Sequence, residues 1–148
     1  MTIKLDIEEV MRHLPHRHPF LFIDRVIDFV PYESLKAIKN VTSSEPWFTG
    51  HFPNMPVMPG VLMLECMAQA AAIMAYLSLE AEPDNKSLFY LAGIDNARFK
   101  QIVKPGDQLV IHVNFIKQKN IVWKISGKIF VNDIEVCSAD ITSAKKEI

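Results

Sequence analysis

The sequence predicts an α+β fold in which a curved antiparallel sheet of about six strands wraps around one long central helix. Three observations carry that prediction. Residues 60–78, "GVLMLECMAQAAAIMAYLS", run without a proline and are apolar on nearly every helical side, so the helix must be enclosed by protein. Apolar residues then recur with the two-residue period of half-buried strands in Leu109, Ile111, Val113 and Phe115, in Ile121, Trp123 and Ile125, and in Cys137, Ala139 and Ile141. "KPGD" and "VND" are turn signals between the late β runs, which makes the C-terminal part a set of antiparallel hairpins.

The elements follow in order. "IKLDIEEVMRHLP", Ile3 to Pro15, predicts a short amphipathic helix, with Leu5, Val10, Met11 and Leu14 near helical spacing and Pro15 ending it. "FLFIDRVIDFV" and "ESLKAIKNVT" predict two strands. "SSEPWFTGHFPNMPVMPG" is a loop with four prolines and two glycines, too long for a tight turn, and loops of that length in compact domains are often functional. Gly60, after Pro59, predicts the helix start, with glycine in the cap position. "AEPDNKS" is a polar loop. Four β runs complete the chain: "LFYLAGIDNARFK", "QLVIHVNFIKQ", "IVWKISGKIFV" and "IEVCSADITSA". No repeat, low-complexity segment or linker interrupts residues 1–148, which predicts a single domain.

Composition narrows the function classes. Of the 148 residues, 49% are hydrophobic and 22% charged, an ordinary soluble mixture, and the net charge of −1 gives no global pull toward nucleic acid or anionic membrane. The N-terminus has early acidic residues and no long apolar run, unlike a secretory or transit signal. Val61 to Leu79 would span about 28 Å as a helix, but Glu65, Gln69 and the lack of basic flanks argue against membrane insertion. Cys66 and Cys137 suggest neither a disulfide framework nor a zinc knuckle, and a reducing cytoplasm fits them.

Three residues attract chemistry. Glu65 is a carboxyl in the second turn of the apolar helix. Burying it ionised is costly, so it either takes a partner or raises its pKa, and a raised carboxyl can act as an acid near neutral pH. An ion-paired structural glutamate is the plainer alternative. Gln69, at i+4, shares its face. His51 stands between Gly50 and Pro53 in the restrained loop and is a natural proton carrier, although a lone loop histidine more often just bonds to backbone. Gly60 lets a ligand approach the helix N-terminus, whose free N–H groups can polarise a carbonyl oxygen.

Other motifs are weaker. His13, His16 and His18 lie in "HLPHRHPF", but without HExxH or CxxC a metal site is not expected. No phosphate loop or dinucleotide fingerprint is present. Phe48, Phe52, Tyr90 and Phe99 read most simply as core, and Met55, Met58, Met63 and Met67 as core or as the lining of a tolerant apolar tunnel.

"LPHRHPFLFIDRV", "GHFPNMPVMPGVLMLECMAQAA" and "NARFKQIVKPGDQL" together resemble the bacterial (3R)-hydroxyacyl-acyl carrier protein dehydratases of type II fatty acid synthesis, over nearly the whole chain. The resemblance implies the hotdog fold and dehydration of 3-hydroxyacyl thioesters to trans-2-enoyl thioesters. It implies His51 and Glu65 as the catalytic pair, supplied by different subunits of a homodimer, with dimers joining as a trimer of dimers. No metal or redox cofactor is implied; the substrate arrives on the phosphopantetheine arm of acyl carrier protein. On this footing the Gly60 amide faces the thioester carbonyl, Gln69 orients Glu65 or a water, and His16, Phe20, Phe52, Val57 and Tyr90 line the substrate tunnel. Arg98, Lys100 and Lys104 are candidates to meet the acidic carrier. Glutamate at position 65, where the isomerising relatives carry aspartate, favours the dehydrating, broadly chain-tolerant type. The division of acid and base roles between His51 and Glu65 stays open. A hotdog thioesterase and a non-catalytic acyl-binding module are the competing readings.

Overall fold

The computed structural model describes residues 4–148. Its elements are α1 (Ile7–His13), β1 (Arg25–Val30), β2 (Ser34–Asn40), a 3-10 turn (Pro46–Thr49), α2 (Gly60–Leu79), β3 (Ser87–Phe99), β4 (Gln108–Lys119), β5 (Val122–Val131) and β6 (Ile134–Glu147). The six strands form one antiparallel sheet in the order β1-β2-β4-β5-β6-β3. Register shifts in four of the five strand pairs mark bulges, which bend strands and increase sheet twist. α2 packs against β2, β3, β4, β5 and β6.

The first helix is shorter than its spacing suggests. Asp6 caps it by accepting from the Glu9 N–H at 3.0 Å, so the helix begins at Ile7. Leu5 instead makes a bridge to Val26, exchanging two backbone hydrogen bonds of 3.0 Å. Ile3 lies outside the described residues.

α2 owes its helicity to alanine, leucine and methionine, all strong helix formers, and its position to having no polar stripe. Met63 through Tyr76 are buried except for Glu65 on one partly open face. Its length and hydropathy would suffice to cross a membrane, but here the sheet covers its apolar faces. Pro59 is the N-cap and Gly60 the first helical residue, so the cap falls one residue earlier than the sequence suggests. At the other end Glu80 takes a left-handed conformation (φ 53°) and the Ala81 N–H closes on the Tyr76 carbonyl at 2.9 Å. Gly127 of β5 permits the close approach of sheet and helix: a Cβ there would lie 2.7 Å from Met67 Sδ.

Strand alternation holds at Leu109, Ile111 and Val113, at Trp123 and Ile125, and at Cys137, Ala139 and Ile141, all buried. Ile121 breaks it. It precedes β5 in the β4–β5 turn and is exposed. On β2 the inward positions are Leu35, Ala37 and Lys39, a lysine on the core face. β3 pairs only with β6 and leaves its other edge open, with Tyr90, Leu91, Ile94 and Phe99 exposed. Of the four aromatics expected in the core, only Phe48 is there; Phe52, Tyr90 and Phe99 are not, because they stand on the loop tip and the edge strand.

Candidate active site

The loop that carries His51 is held at both ends. The Val41 N–H donates to the Asp107 carbonyl at 3.0 Å, and the Met58 N–H to the Val103 carbonyl at 2.7 Å. Between them Pro46 opens the 3-10 turn, and the Trp47 carbonyl accepts from Gly50 N–H at 3.2 Å and His51 N–H at 2.9 Å. The Val57 N–H donates to the His51 carbonyl at 2.9 Å. His51 Nδ1 and the Val57 carbonyl oxygen are 2.7 Å apart. A carbonyl oxygen can only accept, so Nδ1 carries a proton, and in the neutral ring Nε2 is the nitrogen with the lone pair. The Phe52 ring stacks on the imidazole at 4.0 Å between centroids. His51 is thus a fixed imidazole in the tautomer a general base needs.

His51 opens into a cavity of about 410 Å³ that also takes in Val57, Gly60, Phe99 and Val103. Gly60, first in α2, offers an N–H that no carbonyl of the helix can accept. A Cβ at Gly60 would lie 2.8 Å from Phe99 Cδ1, so glycine alone leaves both the ring and the cavity in place. An oxyanion held here would meet the positive end of the helix dipole.

Glu65 opens into a second cavity, of about 240 Å³, shared with His16, Ala68, Gln69, Ala72 and Tyr90. Burial pushes its carboxyl above the ordinary value of 4.5, and a hydrogen bond from the neighbouring Gln69 amide opposes the rise. Burial also lowers His16, with the Arg17 charge adding to the effect, which favours a neutral ring beside Glu65. Gln69, almost wholly buried, does more than its i+4 spacing suggests. Its Oε1 accepts from the Phe22 N–H at 2.9 Å and its Nε2 donates to the Phe20 carbonyl at 2.8 Å. It clamps the backbone before β1 onto α2.

The structure therefore gathers the expected residues into two groups: His51, Val57 and Gly60 in one cavity, and Glu65, Gln69, His16 and Tyr90 in the other. It does not place His51 and Glu65 in one cavity of one chain. The reason is helical geometry, since five residues separate Gly60 from Glu65 and put them about 140° apart around α2. Phe20 and Phe52 line neither cavity; Phe20 packs on the Phe22 ring and Phe52 on His51. Met58 and Met63 line the first cavity, Met67 lies under Gly127, and Met55 is exposed. Among the described residues no three His, Cys, Asp or Glu side chains cluster as a metal site requires.

Two residues near the site escaped sequence reasoning. Lys39 and Glu45 form a largely buried ion pair at 2.6 Å, with Glu45 at the start of the 3-10 turn that precedes His51. The only sequence signal was a lysine at the inward place of "SLKAIKN", after Leu35 and Ala37.

Residues 14–140 match the FabA-like domain family. Over 144 residues the chain is 55% identical to the 3-hydroxyacyl-(acyl-carrier-protein) dehydratase FabZ of Shewanella loihica, covering 97% of this chain and 94% of that one. The chain belongs to the 3-hydroxyacyl-acyl-carrier-protein dehydratase family. A second member of this dehydratase family, from Legionella pneumophila, is 53% identical over 148 residues, covering 100% of this chain and 99% of that one. Solved structures extend the likeness to fold alone. The dehydratase heterocomplex ApeI:P from Xenorhabdus doucetiae aligns with a TM-score of 0.78 at 19% identity, over 93% of this chain and 90% of that one. A mutant thioesterase from Pseudomonas aeruginosa aligns with a TM-score of 0.67 at 16% identity, over 97% of this chain and 96% of that one. The sheet and helix of this dehydratase family member are thus the hotdog fold.

Proposed function

We propose that this chain dehydrates (3R)-3-hydroxyacyl-acyl carrier protein to trans-2-enoyl-acyl carrier protein in fatty acid elongation, with His51 and Glu65 as the proton-transfer pair. The observation that carries the reading is the His51 contact: the Val57 carbonyl holds Nδ1–H, which leaves Nε2 as the basic nitrogen of a neutral ring that lines the same cavity as the start of α2.

The chemistry follows from these positions. His51 Nε2 takes the α-proton of the thioester. The electron pair left on carbon moves toward the carbonyl oxygen, where the Gly60 N–H meets the charge. The pair then forms the double bond as the 3-hydroxyl leaves, protonated by Glu65, as water. Burial of Glu65 serves this step, because a carboxyl raised above its ordinary value holds a proton closer to neutral pH. His51 ends protonated and Glu65 ionised, and one proton passed between them resets the pair. No metal or redox group enters this acid–base cycle; the acyl chain is carried by phosphopantetheine.

Because His51 and Glu65 of one chain face separate cavities, the reading requires a second copy, with His51 of one protomer working beside the partner's Glu65. The open edge of β3, thirteen residues long with four exposed apolar side chains, supports such a homodimer. A trimer of dimers remains the expectation from the resemblance. Arg98, Lys100 and Lys104 are proposed to meet the carrier's acidic surface. Lys100 also pairs with Glu135, which shifts more of that task to Arg98 and Lys104. Two buried, unpaired thiols suit the cytoplasm.

The test follows the ultraviolet absorbance of the conjugated enoyl thioester as 3-hydroxyacyl-acyl carrier protein is incubated with the protein. Absorbance should rise with the native chain, and His51→Ala and Glu65→Gln should each reduce the rate by about 10²–10⁴. Release of free thiol without that absorbance would replace dehydration by thioester hydrolysis.

A further inference from the structure

A buried ion pair is rarely the cheapest way to fill a core. Two charges taken from water recover that cost only with good geometry and further hydrogen bonds, and apolar residues of similar size are often as stable. Lys39 and Glu45 nonetheless stand inside this protein, their side chains 6% and 14% exposed and their charged atoms 2.6 Å apart. Lys39 occupies a core-facing position of β2, after Leu35 and Ala37. What the pair does is legible in its surroundings.

Glu45 uses both oxygens. Oε1 accepts from Lys39 Nζ, and Oε2 accepts from the Thr42 N–H at 2.7 Å. Its backbone carbonyl receives the Phe48 N–H, so Glu45 starts the 3-10 turn whose Trp47 carbonyl then holds the His51 N–H. Lys39 Nζ also lies 5.1 Å from the centre of the Phe22 ring. Phe22 meets the Trp47 indole edge-on at 5.5 Å, and its N–H is held by Gln69, four residues beyond Glu65 on α2. A continuous chain of contacts therefore runs from the Glu65 turn of α2, through Gln69, Phe22, Lys39 and Glu45, to His51.

We propose that Lys39 and Glu45 are positioning residues for the dehydration: their ion pair fixes the base of the His51 loop against Phe22, and thereby sets the angle at which the His51 imidazole meets the substrate. Neither residue lines the His51 cavity or the Glu65 cavity. The inference rests on the function proposed above for His51. It explains why the core retains charges here: a turn tied to the sheet by directional bonds holds its register, whereas a greasy contact lets it slide.

The test uses the full-length protein and two variants. Lys39→Met with Glu45→Gln removes both charges at nearly constant volume; Lys39→Arg keeps the pair with a different fork. Thermal unfolding, steady-state turnover and the exchange of the His51 Nδ1 proton, followed by NMR on histidine-labelled protein, are measured on each. The double variant should unfold at or above the native temperature yet lose at least tenfold in kcat with KM within twofold, and its Nδ1 proton should exchange at least tenfold faster. Lys39→Arg should recover most of both quantities. A double variant with native kcat and native proton exchange would overturn the proposal and leave the pair a packing feature. If the double variant does not fold, Glu45→Gln alone decides: lowered kcat together with faster Nδ1 exchange supports positioning by the charge pair, and native kcat with native exchange overturns it. If even the native protein dehydrates nothing, the proposed function has failed, and proton exchange alone still decides whether the pair holds His51.

Discussion

The two cavities of this chain differ in how they hold their reactive group. His51 sits on a loop outside the long helix and the sheet, yet five backbone hydrogen bonds and the contact of Nδ1 with Val57 hold it in place. Glu65 sits on the most regular element of the fold, and what controls it is burial and one neighbouring amide. In the proposed roles, a base must point in one direction, and the His51 loop is over-determined by directional bonds. An acid must keep its proton, so a helix that removes it from water is enough. Each cavity thus holds one candidate group with its own supporting contacts, as the proposed composite site requires.

The sharpest way to break that comparison is to mix inactive chains. His51→Ala and Glu65→Gln, each nearly inactive alone, are expected to regain about a quarter of native turnover when unfolded and refolded together, since half of the dimers are mixed and each has one intact composite site. No recovery despite confirmed mixed dimers would put both groups to work within one chain. Next in size is Gly60→Ala, which confronts Phe99 at 2.8 Å and should cut kcat/KM by about tenfold to a hundredfold while leaving the unfolding midpoint near native. Equal losses of turnover and stability would make Gly60 a packing residue.

On the Glu65 side, Gln69→Ala leaves the Phe22 N–H and the Phe20 carbonyl without their partner. Urea denaturation should show a loss of about 2–4 kcal/mol, each orphaned group costing about 1–2 kcal/mol. A loss below about 0.5 kcal/mol would mean water replaces the clamp. The smallest effect is electrostatic. A carboxyl raised in the folded state stabilises the fold below its ordinary value of 4.5, and that contribution is lost as pH rises through the raised folded value. Glu65→Gln should therefore unfold at a higher temperature than the native chain at neutral pH, with the difference shrinking as pH falls through the raised folded value and vanishing below 4.5. A constant difference at all pH values would remove burial as the cause of the shift.

Much of this is legible in the sequence. Six strands and one enclosed helix follow from two-residue alternation and from a run with no polar stripe, both consequences of backbone geometry that act over a few residues. His51, Gly60 and Glu65 stand out because a histidine among prolines, a glycine at a helix start and a carboxyl on an apolar helix each conflict with their local setting. What the residues alone did not decide depends on neighbours distant along the chain. Gln69 reads as a partner for Glu65, but 47 and 49 residues of separation hide the backbone it clamps. Tyr90 and Phe99 read as core because they are aromatic, yet β3 falls at the sheet's edge, and edge position is a property of strand order. Lys39 and Glu45 look like ordinary surface charges until β2 turns one inward and the loop brings the other beneath it. Local pattern determined the elements and the reactive groups. Tertiary packing decided which groups share a cavity, because burial and hydrogen-bond partnership arise only when distant segments meet.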